Sequence, residues 1–536
     1  MPLLVLAAAA IASFAWILSL DSQLTFIADD WELLVAREGT GASYFLDSLN
    51  GNLIIGLGVA YRLLRAVFGL DSATPFYVVS IGFFVLSAIL LFVYLRRRVD
   101  DWLAVLAAIL VLFLGAAFED LLFAFQLGYF ASVAAGLGML LALDREDETG
   151  DRLACLLLVV SIVFSSIGIA FAAGALADLL FGKRLRARRA YVVAIPVLLY
   201  ALWWLGWGHN GENSASLHNL LRTPKFAFDS AAAGVTSLLG LATGDGSEPD
   251  QPHLIWGKLV VLLGLAGLAF RIYRERRISR GMAVALAIGL ALWFITGLNR
   301  ESERFPTSSR YQYPYGIVLL LIGGELLRGL RIPRLVVVAA AFVAGLALWG
   351  GISLMQREYD ERWLPTTEYL RSTLAAVDVA GARTVPGYEI AFAPAPLIPA
   401  RTYLGVAAEH GTPAFSEAEL AARPAPDLAA ADLAIAQALG LGLAAPRART
   451  VACEPLDASP DGGTGTTLLH GGFTFENRST APVEVMLRRF ASELSVSLGP
   501  LEAGNKAALE IPPDMSDRPW ALGLEGDGPV ELCTTR

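Results

Sequence analysis

Residues 75–95 read PFYVVSIGFFVLSAILLFVYL without one charged side chain. As a helix, a run of about 20 apolar residues spans the ~30 Å of hydrocarbon in a bilayer. Comparable runs recur near 2–20, 102–117, 126–143, 153–167, 168–182, 189–207, 256–271, 281–298, 313–330 and 334–354. A chain of 536 residues with 17% charged side chains, against roughly 25% in an average soluble domain, has too little polar surface to fold these runs away from lipid. The pattern therefore predicts a polytopic α-helical membrane protein with about eleven transmembrane helices. The opening run, MPLLVLAAAAIASFAWILSL, lacks a basic start and reads as an uncleaved first helix. The apolar stretch 153–182 is too long for one upright span and is divided at Ser165-Ser166-Ile167-Gly168.

Orientation follows the short basic loops. Arg96–Arg98, Lys183–Arg189, Arg271–Arg280 and Arg328–Arg334 all fall on one side, the cytoplasmic one, when 153–182 is divided. The loop DREDETGDR, 144–152, is mainly acidic and carries no such signal. The opposite side receives a long loop at 21–74, a short turn at 118–120, loops at 208–255 and 299–312, and everything after 355. Domain 1–355 is thus the membrane part. Residues 356–448 form an extracytoplasmic mixed α/β region around the helical pattern TTEYLRSTLAAVDVAG. Residues 449–536, with short alternating runs such as GFTFENRSTAPVEVMLRRF split by turns, suggest a β-sandwich. Cys453 and Cys533 lie in its first and last strands, where a disulfide suits an oxidising compartment. Cys155 lies in an apolar run and reads as an inert core residue.

Net charge is −9, which does not suggest a nucleic-acid partner. The chain has no Walker loop, no GxGxxG after a strand, no CxxC pair and no GxSxG, and the cytoplasmic loops are too short for a nucleotide-sugar domain. A donor would arrive already activated on the outer side. There, FIADDWELLVAREG places Asp29 and Asp30 just beyond the first helix. The segments after them, WELLVAREG and ASYFLDSLNGNLIIGLGVAYRLLRAVFG, carry apolar residues at helical spacing and read as amphipathic helices on the membrane surface. Glu119 and Asp120 interrupt the otherwise apolar FLGAAFEDLLFAFQLGYF; acids at a membrane edge are functional candidates. Arg300, Arg304 and Arg310, followed by Tyr311 in YQYPY, suit a lipid-phosphate headgroup, since arginine binds phosphate bidentately. Asp29 with Glu119 and Asp120 could hold a divalent cation (Mg, Mn or Ca) through oxygen ligands. His209, His218 and His253 lack metal-ligand spacing and read as surface residues. Trp363 and Trp520 read first as core.

An acidic pair in ADDW after the first helix, amphipathic helices in the same loop, a second acidic pair in the next outer turn, a many-helix bundle and a terminal soluble domain together resemble the GT-C superfamily of membrane glycosyltransferases. The Ala/Arg-rich, Lys-poor composition resembles that of high-GC bacteria, actinobacteria among them. In SLNGNLI, residues 48–54, Asn50 and Asn52 stand where many relatives carry His or Pro. The resemblance implies an inverting transfer from a polyprenyl-phosphate-linked sugar to a glycan, lipid or protein acceptor of the cell envelope, at the outer face of a bacterial plasma membrane. It casts Asp29 or Asp30 as general base, Glu119 or Asp120 as the positioner of acceptor or metal, and the arginines as stabilisers of the departing phosphate. The rival classes are a lipid or glycan transporter or flippase, which would place charges near the bilayer midplane, and a non-catalytic envelope scaffold.

Overall fold

The computed structural model describes residues 1–37, 41–182, 186–210, 215–243, 254–299, 305–391, 397–446, 450–493 and 496–535. The chain forms two compact units. Met1–Leu24, Glu38–Leu64 and Ala73–Leu364 make the first; Thr25–Arg37, Arg65–Ser72 and Pro365–Arg536 make the second. The division is not a single cut near 355, because two stretches of the first loop group with the C-terminal residues.

The first unit is a bundle whose long helices are Pro2–Asp21, Thr74–Leu95, Asp101–Leu112, Leu127–Leu143, Glu148–Phe164, Ile167–Phe181, Tyr191–Gly206, Leu217–Leu238, Leu254–Glu275, Arg280–Leu298, Gln312–Leu327 and Arg334–Glu358. Among the described residues, seven helical segments are long and apolar enough to cross a bilayer, with Ile167–Phe181 and Tyr191–Gly206 as shorter apolar helices. Their outward faces stay bare: Leu263 is 73% exposed and Phe342 69%. A soluble protein does not leave contiguous apolar faces of this size to water, so lipid is the solvent they fit.

One end of the bundle is closed by an ionic layer. Arg98, after Thr74–Leu95, reaches Asp144 at 3.0 Å and also binds Glu325 at the end of Gln312–Leu327. Its guanidinium lies over the Tyr94 ring, whose hydroxyl donates to Glu325 at 3.2 Å. Arg271 donates to the Glu325 and Leu326 carbonyls, each at 2.8 Å. Arg189 bridges Asp151 at 3.0 Å and Asp178 at 2.7 Å, and Arg280 binds Asp178 at 2.5 Å and also Glu146. Gly281 lets this happen: a Cβ there would come within 2.2 Å of the Glu325 carboxylate. Ends of eight helices meet in this layer. The acidic loop 144–152, silent as an orientation signal, supplies three of its carboxylates, from Asp144, Glu146 and Asp151.

The helix Leu217–Leu238 falls inside the expected outer loop 208–255 and is a correction to it. Asn219, near its start, donates to the Leu298 carbonyl at 3.2 Å, and Ser237, near its end, donates to Gln312 at 3.0 Å. Leu298 and Gln312 both lie at the bundle end away from the ionic layer, so this helix lies across that end and does not traverse the bundle. Its buried residues are mostly small, Ser230, Ala231, Ala232, Ala233, Gly234, Thr236 and Ser237, with Asn219, Thr223, Phe226 and Leu238 also inside. With Arg222, Lys225 and Asp229 along it, hydropathy alone does not reveal it. The expected helix 102–117 also ends early, at Leu112, and continues as a broken run through Gly115–Ala117 and Phe118–Leu121. There the backbone of Gly115 crosses Gly351 so closely that a Cβ would lie 1.7 Å from the Gly351 carbonyl oxygen.

In the second unit, helices Leu364–Ala380, Ala400–His410 and Ala425–Leu439 precede eight strands: β1 Thr450–Ala458, β2 Gly463–Leu468, β3 Gly471–Asn477, β4 Val483–Arg488, β5 Val496–Leu501, β6 Lys506–Ile511, β7 Trp520–Glu525 and β8 Gly528–Thr535. They form two four-stranded sheets of order β1-β8-β3-β6 and β2-β7-β4-β5, all neighbours antiparallel. Alternation in β4 buries Val483, Val485 and Leu487. These join Phe475, Leu509, Trp520, Leu524 and Val530 in one core. Cys453 in β1 pairs in register with Cys533 in β8, and a disulfide joins them. Asp432 ties the Ala425–Leu439 helix to the sandwich by accepting the backbone N–H groups of Arg489, Phe490 and Ala491 at 2.8, 2.9 and 3.1 Å.

The ionic layer carries a direct prediction. Arg189 is 4% exposed and binds Asp151, itself 3% exposed. Removing one partner of a buried pair costs about 3–5 kcal/mol. Arg189→Ala should therefore lower the thermal midpoint of the detergent-solubilised protein by many degrees, whereas an unchanged melt would show that the layer does not hold the bundle.

Candidate functional site

The structure places Asp29 and Asp30 in the second unit, and Glu119, Asp120, Arg310 and Tyr311 in the first. Arg300, Arg304 and His253 lie outside the described residues.

In the second unit, the chain turns sharply at Ala28, whose φ of 45° and ψ of −122° are unusual for a residue with a side chain. Such strain costs of order 1–3 kcal/mol and concentrates at functional sites. The next residues hold the turn in place. Asp30 is fully buried, and its carboxylate accepts the Ile27 N–H at 2.9 Å. Trp31, also fully buried, donates to the Phe26 carbonyl at 2.9 Å and meets Tyr403 edge-on at 6.1 Å. The backbone then runs through a π-helical turn, Glu32–Ala36, to which Arg65 is joined by a 2.8 Å bond to the Leu34 carbonyl. The described part of the amphipathic segment, 31–37, is thus a buried wide turn, with Leu33, Leu34 and Val35 inside. Asp29, half-buried, separates from Asp30 by exposure: Asp30 is built into the turn.

Tyr403 belongs to a small polar network. Its hydroxyl pairs with the Thr412 hydroxyl at 2.5 Å and donates to Asp378 at 3.3 Å. Thr412 N–H donates to Asp71 at 3.1 Å and Leu70 N–H to the His410 carbonyl at 2.7 Å. These contacts dock both stretches of the first loop onto the C-terminal helices. The helical run Arg334–Arg383 far exceeds the ~20 residues a bilayer takes, and Asp378 lies well past its apolar part. Burial pushes the Asp378 carboxyl up to about 6, against the hydrogen bonds from Tyr403 and Thr412, which pull it down.

In the first unit, the turn carrying Glu119 and Asp120 is coupled to the segment before Gln312–Leu327. Ser309 donates to the Ala116 carbonyl at 2.8 Å and accepts the Glu119 N–H at 3.0 Å. Glu119 accepts both the Arg310 N–H at 3.1 Å and its guanidinium at 3.3 Å. The Arg310 side chain remains 49% exposed. Tyr311 is buried and stacks on Tyr315 at 5.7 Å. Asp120 is fully buried, and neither carboxylate oxygen has a hydrogen-bond partner. Asp21, at the end of the first helix, shares that condition. Sequence alone does not single out Asp21, because an acid closing an apolar run looks like an ordinary solvated helix end.

Carboxylate oxygens are the donors a hard divalent cation takes, and those of Asp120 fit. Glu119, however, is engaged by Arg310. Among the described residues, three His, Cys, Asp or Glu ligand groups converge only at Cys453, Glu531 and Cys533, whose sulfurs are joined to each other. A cation in this unit would rest on two carboxylates. His209 and His218 are exposed. No protein-family model and no curated protein matches the chain.

Asp378 gives a pH prediction. Its folded value lies above the ordinary 3.8, so folding favours the protonated acid. The ionisation penalty is absent below that ordinary value and complete above about 6, so stability falls as pH rises through this window. Asp378→Asn removes the titration. In thermal unfolding of the full chain in detergent between about pH 4 and pH 8, the wild type should lose more midpoint than the variant; parallel curves would contradict this.

Proposed function

We propose that this protein is a GT-C-like membrane glycosyltransferase. It transfers a sugar from a polyprenyl-phosphate donor to a cell-envelope acceptor, on the outer face of a bacterial plasma membrane and with inversion. The observation that carries the reading is the placement of charge. In the described helices that run the length of the bundle, charged residues stand near the helix ends and none stands at mid-span; Arg222, Lys225 and Asp229 belong to Leu217–Leu238, which lies across one end. One end is the self-neutralised ionic layer. The other holds Asp120, buried with unpartnered oxygens, beside a Glu119–Arg310 pair whose cation remains half open. A transporter needs polar groups along its path near the midplane; a transferase acting on a headgroup needs them at the rim.

Eleven crossings, with Leu217–Leu238 lying across one end, leave Arg96–Arg98, Arg274–Arg277 and Arg328–Arg334 on one side, as cytoplasmic loops require. The acidic turn and the C-terminal unit then lie outside, where the Cys453–Cys533 disulfide persists. Asp29, the more exposed of the acidic pair, is the base that takes the proton from the acceptor hydroxyl. The hydroxyl oxygen attacks the anomeric carbon from the face opposite the phosphate, and the bond to the phosphate oxygen breaks. Arg310 stabilises the departing phosphate. Glu119 and Asp120 position the acceptor, and their oxygens also suit a divalent cation.

The test is transfer from radiolabelled polyprenyl-phosphate sugars by purified protein. Asp29→Asn should lose about 10²–10⁴-fold of the rate, the worth of a general base, and Arg310→Ala should fall with it. Undiminished transfer by Asp29→Asn, or no transfer by wild type from any donor in the panel, would overturn the proposal.

A further inference from the structure

The helix Leu217–Leu238, which lies across the bundle end away from the ionic layer, shows three different faces along its first half. Asn219, Thr223, Phe226 and Ser230 are buried. Their spacing by three and four residues makes them one stripe. Leu217, Leu220, Leu221 and Pro224 make a second stripe by the same spacing, and all are exposed, Leu217 at 71% and Leu221 at 74%. His218, Arg222 and Lys225 make a third, also exposed. Asp229 continues the third stripe one turn on, where Lys258 binds it at 3.1 Å.

Water is the wrong solvent for the second stripe. A helix between a protein core and water turns its leucines in and its charges out. Here leucines and cations are both turned out, on separate faces. That division suits the boundary of a bilayer, where hydrocarbon takes one face and headgroups take the other.

The neighbouring helices place the helix at that depth. The Asp229–Lys258 pair stands where it crosses the start of Leu254–Glu275, and a Cβ on Gly257 would lie 2.0 Å from the Ala232 carbonyl oxygen. Trp256, in the same turn as Gly257, is exposed, as is Trp204 near the corresponding end of Tyr191–Gly206. Tryptophan gathers where hydrocarbon meets headgroups. The exposed leucines therefore continue the bare apolar surface of Leu254–Glu275, which lipid already covers.

The cations narrow the occupant. Arg222 and Lys225 lie three residues apart, so their side chains are neighbours. Arginine meets phosphate oxygens bidentately and lysine meets them as a point charge. A phosphate that carries no ammonium group is the complement of such a pair. The surface of a helix is convex and open, which suits the headgroups of the leaflet rather than the capture of a single tail.

We propose that the first half of Leu217–Leu238 is a docking surface for anionic phospholipids, with Leu217, Leu220, Leu221 and Pro224 among the acyl chains and Arg222 and Lys225 at the phosphates. The surface is separate from the Glu119–Arg310 turn and does not depend on a transfer reaction.

The test is fluorescence quenching in nanodiscs. A bimane label on Leu221→Cys, in the full chain carrying Cys155→Ser, is challenged with phosphatidylglycerol or phosphatidylcholine bearing a nitroxide high on the acyl chain. Both lipids should quench the label more than aqueous iodide does, and phosphatidylglycerol should quench at least about threefold more strongly per mole. Arg222→Gln with Lys225→Gln should make the two lipids equal, whereas Arg222→Lys with Lys225→Arg should keep the preference. Equal quenching by the two lipids in the protein with both cations, a preference that survives the double glutamine variant, or quenching by iodide alone would overturn the proposal. Abolition of the preference by farnesyl phosphate at about a tenth of the phosphatidylglycerol concentration would overturn it too, because the surface would then select an isoprenoid phosphate over the leaflet's own lipid.

Discussion

The bundle depends on a layer of desolvated ion pairs at one of its ends. Removing the carboxylates of Asp151, Asp178 and Glu325 and the guanidiniums of Arg98 and Arg189 from water is expensive. The cost is met only because each charge finds a partner in good geometry: Arg189 between Asp151 and Asp178, Arg98 between Asp144 and Glu325. Apolar helices packed by dispersion alone have few distinguishing contacts along their length. The layer supplies register, because each pair joins a particular turn of one helix to a particular turn of another. Arginine suits this better than lysine, since one planar fork holds two carboxylates at once.

With charge neutralised at that end, the other end can be polar and partly unsatisfied. There the small-residue face of Leu217–Leu238 lies across the helix termini. The Glu119–Asp120 turn is pinned through Ser309, and Gly115 and Gly351 meet backbone to backbone. The precision of these contacts is consistent with a turn whose acids must be held in place. The second unit holds its own acidic pair by comparable means, with Trp31 wedged between Phe26 and Tyr403 behind the strained Ala28. In both units the buried acid, Asp120 or Asp30, adjoins a more accessible one, Glu119 or Asp29.

A helix stands at every apolar run seen in the sequence, because twenty uncharged residues have few other stable arrangements in lipid. Strands β3, β4, β5, β6 and β8 were visible as alternation and Cys453 marked β1, whereas β2 and β7 went unread. What the sequence concealed shares a cause: its signal lies in the partner, not in the segment. Leu217–Leu238 buries Ser, Ala and Thr, whose role appears only once Gln312 and Leu298 are beside them. The acids of 144–152 carried no signal in the sequence; their role appears only with Arg98, Arg189 and Arg280 beside them. WELLVAREG has helical periodicity, yet a π-turn forms there because Trp31 and the Arg65–Leu34 bond draw it inward. The acidic pairs themselves were legible; the difference in burial between Asp29 and Asp30 was not, since adjacent identical residues carry no phase.

The central claim is that the end holding Glu119, Asp120 and Arg310 faces outward and the ionic layer faces the cytoplasm. Sidedness labelling tests it most directly, with a membrane-impermeant maleimide on single-cysteine variants that carry Cys155→Ser. His218→Cys, on the helix lying across the far end, should label in intact spheroplasts. Arg276→Cys, beside the ionic layer, should label only after permeabilisation. The reverse pattern would put the acids on the side where no lipid-linked donor is presented, and the account would fail.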